Sequence, residues 1–159
     1  MRSLFCLLIV VLLLTSCAGS ATTASSRNRR PIGFWSLNEY DRTGERHGRW
    51  NAYFDEKYTK IGTKGRFKHG RPVGRWRYYG LTGQLERQEV YLRRPAGRQL
   101  ITYYHPNGRV AKRGQAQFAT DATDAHFYWL GDWISYSANG QPEKVETYDT
   151  GKLQSVRKL

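Results

Sequence analysis

Trp76-Arg77-Tyr78-Tyr79-Gly80-Leu81-Thr82-Gly83 is the stretch whose reading decides the fold, because the chain repeats it. Trp133-Ile134-Ser135-Tyr136-Ser137-Ala138-Asn139-Gly140 is a second copy, with Trp, Tyr and Gly in register. Ile101-Thr102-Tyr103-Tyr104-His105-Pro106-Asn107-Gly108 is a third, with Ile in the Trp position. Trp50-Asn51-Ala52-Tyr53 opens a fourth, whose turn is longer and runs through Asp55 to Gly62. Tyr53, Tyr79, Tyr104 and Tyr136 are 26, 25 and 32 residues apart, a period that belongs to repeat architectures. Gly48, Gly74 and Gly131 each stand two places before their Trp, whereas the third copy has Gln99 there. A half-motif links the copies: Phe67-Lys68-His69-Gly70, Tyr148-Asp149-Thr150-Gly151 and, more loosely, Tyr40-Asp41-Arg42-Thr43-Gly44. Tyr91 holds its aromatic position in another copy, where Arg94-Pro95 replaces the Gly.

These spacings are those of β-hairpins. Trp, Tyr and Thr suit a pleated strand. Pro106-Asn107-Gly108 fits a type I turn closed by a left-handed glycine, a common three-residue hairpin loop. Gly83 and Gly140 occupy the equivalent place. Six to eight residues separate the turn signals, which is strand length. The expected fold is all-β: an elongated antiparallel sheet, or solenoid, of stacked hairpin repeats. No hairpin is stable alone, so neighbours must bury one another's faces. Trp50, Tyr53, Trp76, Tyr79, Tyr104, Trp133 and Tyr136 are the expected repeat core, as one continuous aromatic strip. The sharper alternative is an exposed aromatic face that binds sugar rings.

The pattern resembles the MORN-variant repeat, whose copies run roughly as Gly-x-Trp-x-x-Tyr, a turn Gly, then Tyr-x-x-Gly-Lys/Arg. The resemblance covers about residues 33 to 153 and is clearest from Gly74 to Gly83 and from Gly131 to Lys152. It implies a β-hairpin stack used for binding or scaffolding, with some antitoxin-like bacterial relatives, and it carries no catalytic residue across.

The amino terminus has its own logic. Met1 and Arg2 precede an unbroken apolar run from Leu4 to Leu14. Eleven helical residues rise about 1.5 Å each, too little for a hydrocarbon core of roughly 30 Å, but right for the apolar region of a secretory signal. The run ends in Leu14-Thr15-Ser16-Cys17-Ala18-Gly19, which resembles the bacterial lipobox. That resemblance implies cleavage before Cys17 and its acylation. The expected organisation is a signal peptide over 1–16 with a helical apolar segment, a flexible tether over 17–31 and a repeat domain over 32–159. An ordinary cleavable signal and an uncut signal anchor are the alternatives. Ala18, rather than Asp, follows the cysteine, which in Gram-negative lipoproteins implies transfer to the outer membrane. Cys6 leaves with the signal, so the mature chain has neither a free thiol nor a disulfide.

The charge is lopsided. Without Arg2 the mature chain keeps 25 Lys and Arg against 13 acidic residues, a net charge of +12. Such an excess points either to an acidic polymer or to simple solubility in a host with a basic proteome, and an exported chain meets phospholipid head groups, lipopolysaccharide phosphates and acidic wall polymers rather than nucleic acid. Arg27, Arg29 and Arg30 in the tether are placed to lie against anionic head groups.

Catalytic and metal signatures are missing. His47, His69, His105 and His126 are more than twenty residues apart, with no metal-ligand spacing; His69 and His105 read as solvated turn residues. Asp121, Asp124 and His126 lie in an insertion that lengthens the third interval and reads as a solvated loop. Glu86 and Glu89 read as part of a solvated mixed-charge face. No nucleophile elbow, phosphate loop or dinucleotide fingerprint occurs. The expectation is therefore a non-enzyme without cofactor, metal or small-molecule substrate: a membrane-anchored envelope lipoprotein that binds a protein or an anionic polymer. An antitoxin or immunity role is the alternative, with a glycan or wall hydrolase behind it. Residues 154–159, with Arg157 and Lys158, read as a charged end cap or a loose tail.

Overall fold

The computed structural model describes residues 36–120 and 124–159. The lipobox residues Leu14, Thr15, Ser16 and Cys17, the signal peptide and the tether lie outside the described residues, as does Asp121. The rest is one ten-stranded antiparallel sheet: β1 (Glu39–Tyr40), β2 (Arg46–Tyr53), β3 (Ile61–Lys68), β4 (Arg71–Tyr79), β5 (Leu85–Tyr91), β6 (Arg98–Tyr104), β7 (Val110–Thr120), β8 (Ala125–Tyr136), β9 (Pro142–Asp149) and β10 (Lys152–Lys158). Each strand pairs with the next in sequence, and β1 does not meet β10, so the sheet is open. The described residues contain no helix.

Turn chemistry sets this meander. Three-residue loops close β4–β5, β6–β7 and β8–β9: Gly80, His105 and Ser137 each donate an N–H to the carbonyl four residues on, at 2.8–2.9 Å. Gly83, Gly108 and Gly140 have φ of 85°, 81° and 88°, so each copy's turn glycine is a left-handed closing residue. The half-motifs make a second kind of turn. His69-Gly70 (φ 47°, 71°) and Thr150-Gly151 (φ 46°, 81°) are two-residue connections of the type I′ class, joining β3 to β4 and β9 to β10.

The Gly-x-Trp element has two uses. Gly74 (φ 64°) faces Tyr91, and Gly131 (φ 59°) faces Tyr148. A side chain there would meet open space, so backbone conformation, not crowding, selects glycine. Two places on, Trp76 and Trp133 lean across the preceding strand over Gly65 and Gly114, where a Cβ would collide with the indole. Their indole N–H groups donate to Arg66 O at 3.2 Å and Gln115 O at 3.0 Å. Both glycines sit at register shifts, which open the ladder for the ring.

Trp133 and Ile101 are fully buried, with Ala116 beside them and Tyr103, Trp129 and Tyr148 packed around. On the amino-terminal side Tyr40, Trp50, Phe67 and Trp76 form an edge-to-face chain with centroids 5.5, 5.5 and 4.8 Å apart.

The aromatic strip is divided between two faces. A strand alternates sides with period two, so Trp at i and Tyr at i+3 point oppositely. Tyr78 and Tyr103, one place earlier than expected, share the Trp face: Tyr78 bonds Glu89, and Tyr103 lies 6.2 Å from Trp133. Tyr53, Tyr79, Tyr104 and Tyr136 are half-buried on the other face, where Lys64 covers Tyr79 at 5.1 Å and Arg113 covers Tyr136 at 5.4 Å.

Three further readings change. Glu89 is buried rather than solvated, because it opposes Trp76 and accepts hydrogen bonds from Tyr78 (2.8 Å) and Tyr91 (3.0 Å). The ends of the insertion are strand: Ala119↔His126 and Thr120↔Ala125, with Phe118↔Phe127 before them, extend the β7–β8 hairpin. The carboxy terminus is β10, paired to β9 through Lys158↔Lys144.

Candidate functional site: a basic groove behind the tryptophans

The face opposite Trp50 and Trp76 carries a groove of about 1320 Å³ over β2 to β5. Alternation builds it: Arg49 and Asn51 from β2, Lys64, Arg66 and Lys68 from β3, and Arg75 and Arg77 from β4 line it, with Arg93 after β5. Seven Lys and Arg face one carboxylate, Glu39. Among the described residues none of the seven is in an ion pair.

Register brings like charges together. Arg49 is directly opposite Arg66, and Lys64 is directly opposite Arg77. Such pairs destabilise a sheet by about 0.2–1 kcal/mol each. Arg49, Arg66 and Arg75 are exposed, whereas Lys64 and Arg77 are half-buried, so their charge is less screened than on an open surface. A bound anion would relieve both repulsive pairs. The guanidinium fork suits phosphate or carboxylate oxygens in particular.

On the Trp face two carboxylates, Glu89 and Glu146, are paired with cations. Glu146 opposes Trp133 and accepts from Lys112 at 2.6 Å and Lys144 at 3.2 Å. The bond from Lys112, with help from Lys144, holds its carboxyl below the usual glutamate range. Lys112 Nζ lies 4.6 Å from the Trp129 ring and 5.7 Å from that of Trp133, themselves stacked at 3.9 Å. Burial and then the Glu89 hydrogen bond push the Tyr78 phenol up to about 12. Burial and Glu89 also raise that of Tyr91.

The candidate residues read from sequence therefore separate. Trp76 and Trp133 are buried, Trp50 is half-buried, and Gly83, Gly108 and Gly140 form turns at one end of the sheet. None of these lines the groove. The groove cations went unread one by one, although the alternation Arg75-Trp76-Arg77 was available to find them. Gly65, Gly114, Trp129 and Lys112 were also missed, because their partners sit on neighbouring strands.

The histidines are engaged. His105 Nε2 is 2.8 Å from the Tyr136 carbonyl, and His69 Nδ1 is 2.8 Å from Asp41 Oδ2. Strand pairing brings His47 beside His69, with rings 4.9 Å apart. Hydrogen bonds from Thr43 and then His69 hold the Asp41 carboxyl well below the usual range.

Comparison with known proteins gives no match to any family model, curated protein or solved structure.

Proposed function

We propose that this chain is a lipid-anchored, non-catalytic module of the cell envelope that binds a phosphate-bearing anionic polymer in the basic groove. The observation that carries the reading is the like-charge register of Arg49 with Arg66 and of Lys64 with Arg77 inside that groove. A sheet that keeps repulsive pairs on one face, while Glu89 and Glu146 are paired on the other, is arranged for an outside anion. The lipobox around Cys17 supports anchoring, with the tether to residue 31 as spacer and the outer membrane as the destination if the host is Gram-negative. The recurring Gly-x-Trp bulge and turn glycine support a MORN-variant-like repeat stack. Glu39 is the one carboxylate among the groove's lining residues, so the groove has no pair of acids for glycoside hydrolysis.

The test is a pull-down from cross-linked envelopes with the full-length protein, Cys17→Ala and the double variant Arg66→Glu/Arg77→Glu. Recovery of phosphate-rich polymer, lost in high salt and in the double variant, is the expected result. A discrete protein that survives high salt with either groove sequence would replace this reading by a second. That second reading, a protein partner such as an incoming toxin, is favoured by one observation. All seven residues of β10 are exposed, and its outer edge has no partner strand among the described residues.

A further inference from the structure

Three side chains far apart in sequence meet where β1 turns into β2 and β3 into β4. Asp41 opens the first turn, His47 is the second residue of β2, and His69 is the first residue of the two-residue turn. Each offers one ligand atom, and these atoms all lie within 4.8 Å of one another. Asp41 is fixed in place by its own loop. Its Oδ1 accepts from Thr43 N at 3.0 Å, Thr43 Oγ1 at 2.6 Å and Glu45 N at 2.9 Å. That leaves Oδ2 turned to the imidazole of His69, 2.8 Å away.

Two more carboxylates stand near the cluster. Glu39 is the cross-strand partner of His47, and its buried Oε2 has no hydrogen-bond partner among the described residues. The Glu45 carboxylate lies against Gly70, next to His69, so closely that a Cβ there would strike it. Three carboxylates thus gather around two imidazoles.

We infer that Asp41, His47 and His69 bind a divalent transition-metal ion, with zinc the best fit. Two imidazoles and one carboxylate are a borderline nitrogen–oxygen set that zinc accepts with a fourth position left open. Zinc holds such donors at about 2.0–2.2 Å. The donors must therefore close in, which the His69 side chain, 65% exposed, is free to do. The hydrogen bonds to Oδ1 are the outer-shell support that orients a metal-binding carboxylate. Bound metal would pin the β1–β2 turn to the β3–β4 turn, at the end of the groove where His47 is a lining residue.

The experiment is calorimetric titration of the full-length chain with Zn²⁺, alongside His47→Gln, His69→Asn and Thr43→Val. Asn at 69 tolerates the left-handed φ of 47°, so the turn is kept while the ligand is lost. One Zn²⁺ per chain is expected, bound at least tenfold more weakly by His47→Gln and His69→Asn. Thr43→Val should weaken it by about tenfold through the outer shell. His105→Gln and His126→Gln should leave it unchanged. No binding, or binding that survives both His47→Gln and His69→Asn, overturns the inference. The unmodified chain gives an independent readout should a variant unfold. Co²⁺ should shift the ring protons of His47 and His69 alone; shifts at His105 or His126 alone, or none, would also overturn it.

Discussion

Glycine does two different jobs here, and substitution separates them. At Gly114 the backbone is ordinary, but the Trp133 indole occupies the place of a side chain. Gly114→Ala must push a fully buried ring off its strand, and overpacking of this kind costs about 1–3 kcal/mol. At Gly108 there is room but φ is 81°, so alanine strains the backbone without touching the core. Urea unfolding should show both variants destabilised, but only Gly114→Ala should change Trp fluorescence in the native baseline. The groove cations predict the opposite sign. Arg66→Ser removes a charge set against Arg49 and should stabilise the fold by about 0.2–1 kcal/mol while weakening polymer binding. A loss of stability would mean that the pair is not repulsive in the free protein. Glu146 contributes a pH dependence. Its folded pKa is depressed, so its stabilisation is complete above the unfolded value of about 4.3 and is lost as pH falls through the folded one. Wild type should therefore lose stability below about pH 5 more steeply than Glu146→Gln. Equal slopes in urea midpoints measured against pH would show that Lys112 and Lys144 do not favour the ionised carboxylate.

Strands and turns were the most legible level in the sequence, because their signals are local. Trp-x-x-Tyr followed by a turn Gly fixes a strand, a three-residue loop and the next strand's start, and β4–β5, β6–β7 and β8–β9 follow it closely. What one period cannot state is which face a residue occupies. Tyr78 and Tyr79 are adjacent, and only strand alternation, shifted by bulges, assigns Tyr78 to Glu89 and Tyr79 to Lys64. The histidine group was illegible for a similar reason. Residues 41, 47 and 69 have no ligand spacing along the chain, but two hairpins bring them to one end of the sheet. The insertion was legible only in part: its Ala, Thr and Asp suggested a loop, and the residues at its ends continue the hairpin that pairs Phe118 with Phe127. Both are half exposed, at 46% and 52%, so this extension adds little to the core. Excising Phe118 to Phe127 and closing with a two-residue Asn-Gly turn should leave the melting temperature within a few degrees, because the buried contacts of Trp133 lie elsewhere. A collapse of the cooperative transition would mean that the hairpin caps Trp129.

Among the described residues a single open sheet has no second layer to shelter charge, so the distribution of cations over it determines how it meets a polymer. Seven of the 26 Lys and Arg lie in one groove; the remainder are spread along the chain. Short-range contacts and long-range steering then answer differently to salt. Each phosphate neutralised on a flexible strand adds about −0.7 to the slope of log affinity against log salt, so seven engaged cations would give about −5. Arg66→Ser/Arg77→Ser should reduce that slope by about 1.4 and speed dissociation. Arg157→Ser/Lys158→Ser, at the opposite edge of the sheet, removes the same charge without touching the groove. It should lower the association rate at low salt, through the weaker field, and leave the equilibrium slope almost unchanged. Stopped-flow binding of a fluorescent phosphate-bearing polymer, read between low and high salt, measures both quantities. If the two double variants behave alike, the chain's net charge of +13 acts as diffuse charge and the groove is not the site. If only the groove variant changes the slope, β2 to β4 are where the polymer lies, and the tryptophan face serves to hold those strands in the register that puts arginine opposite arginine.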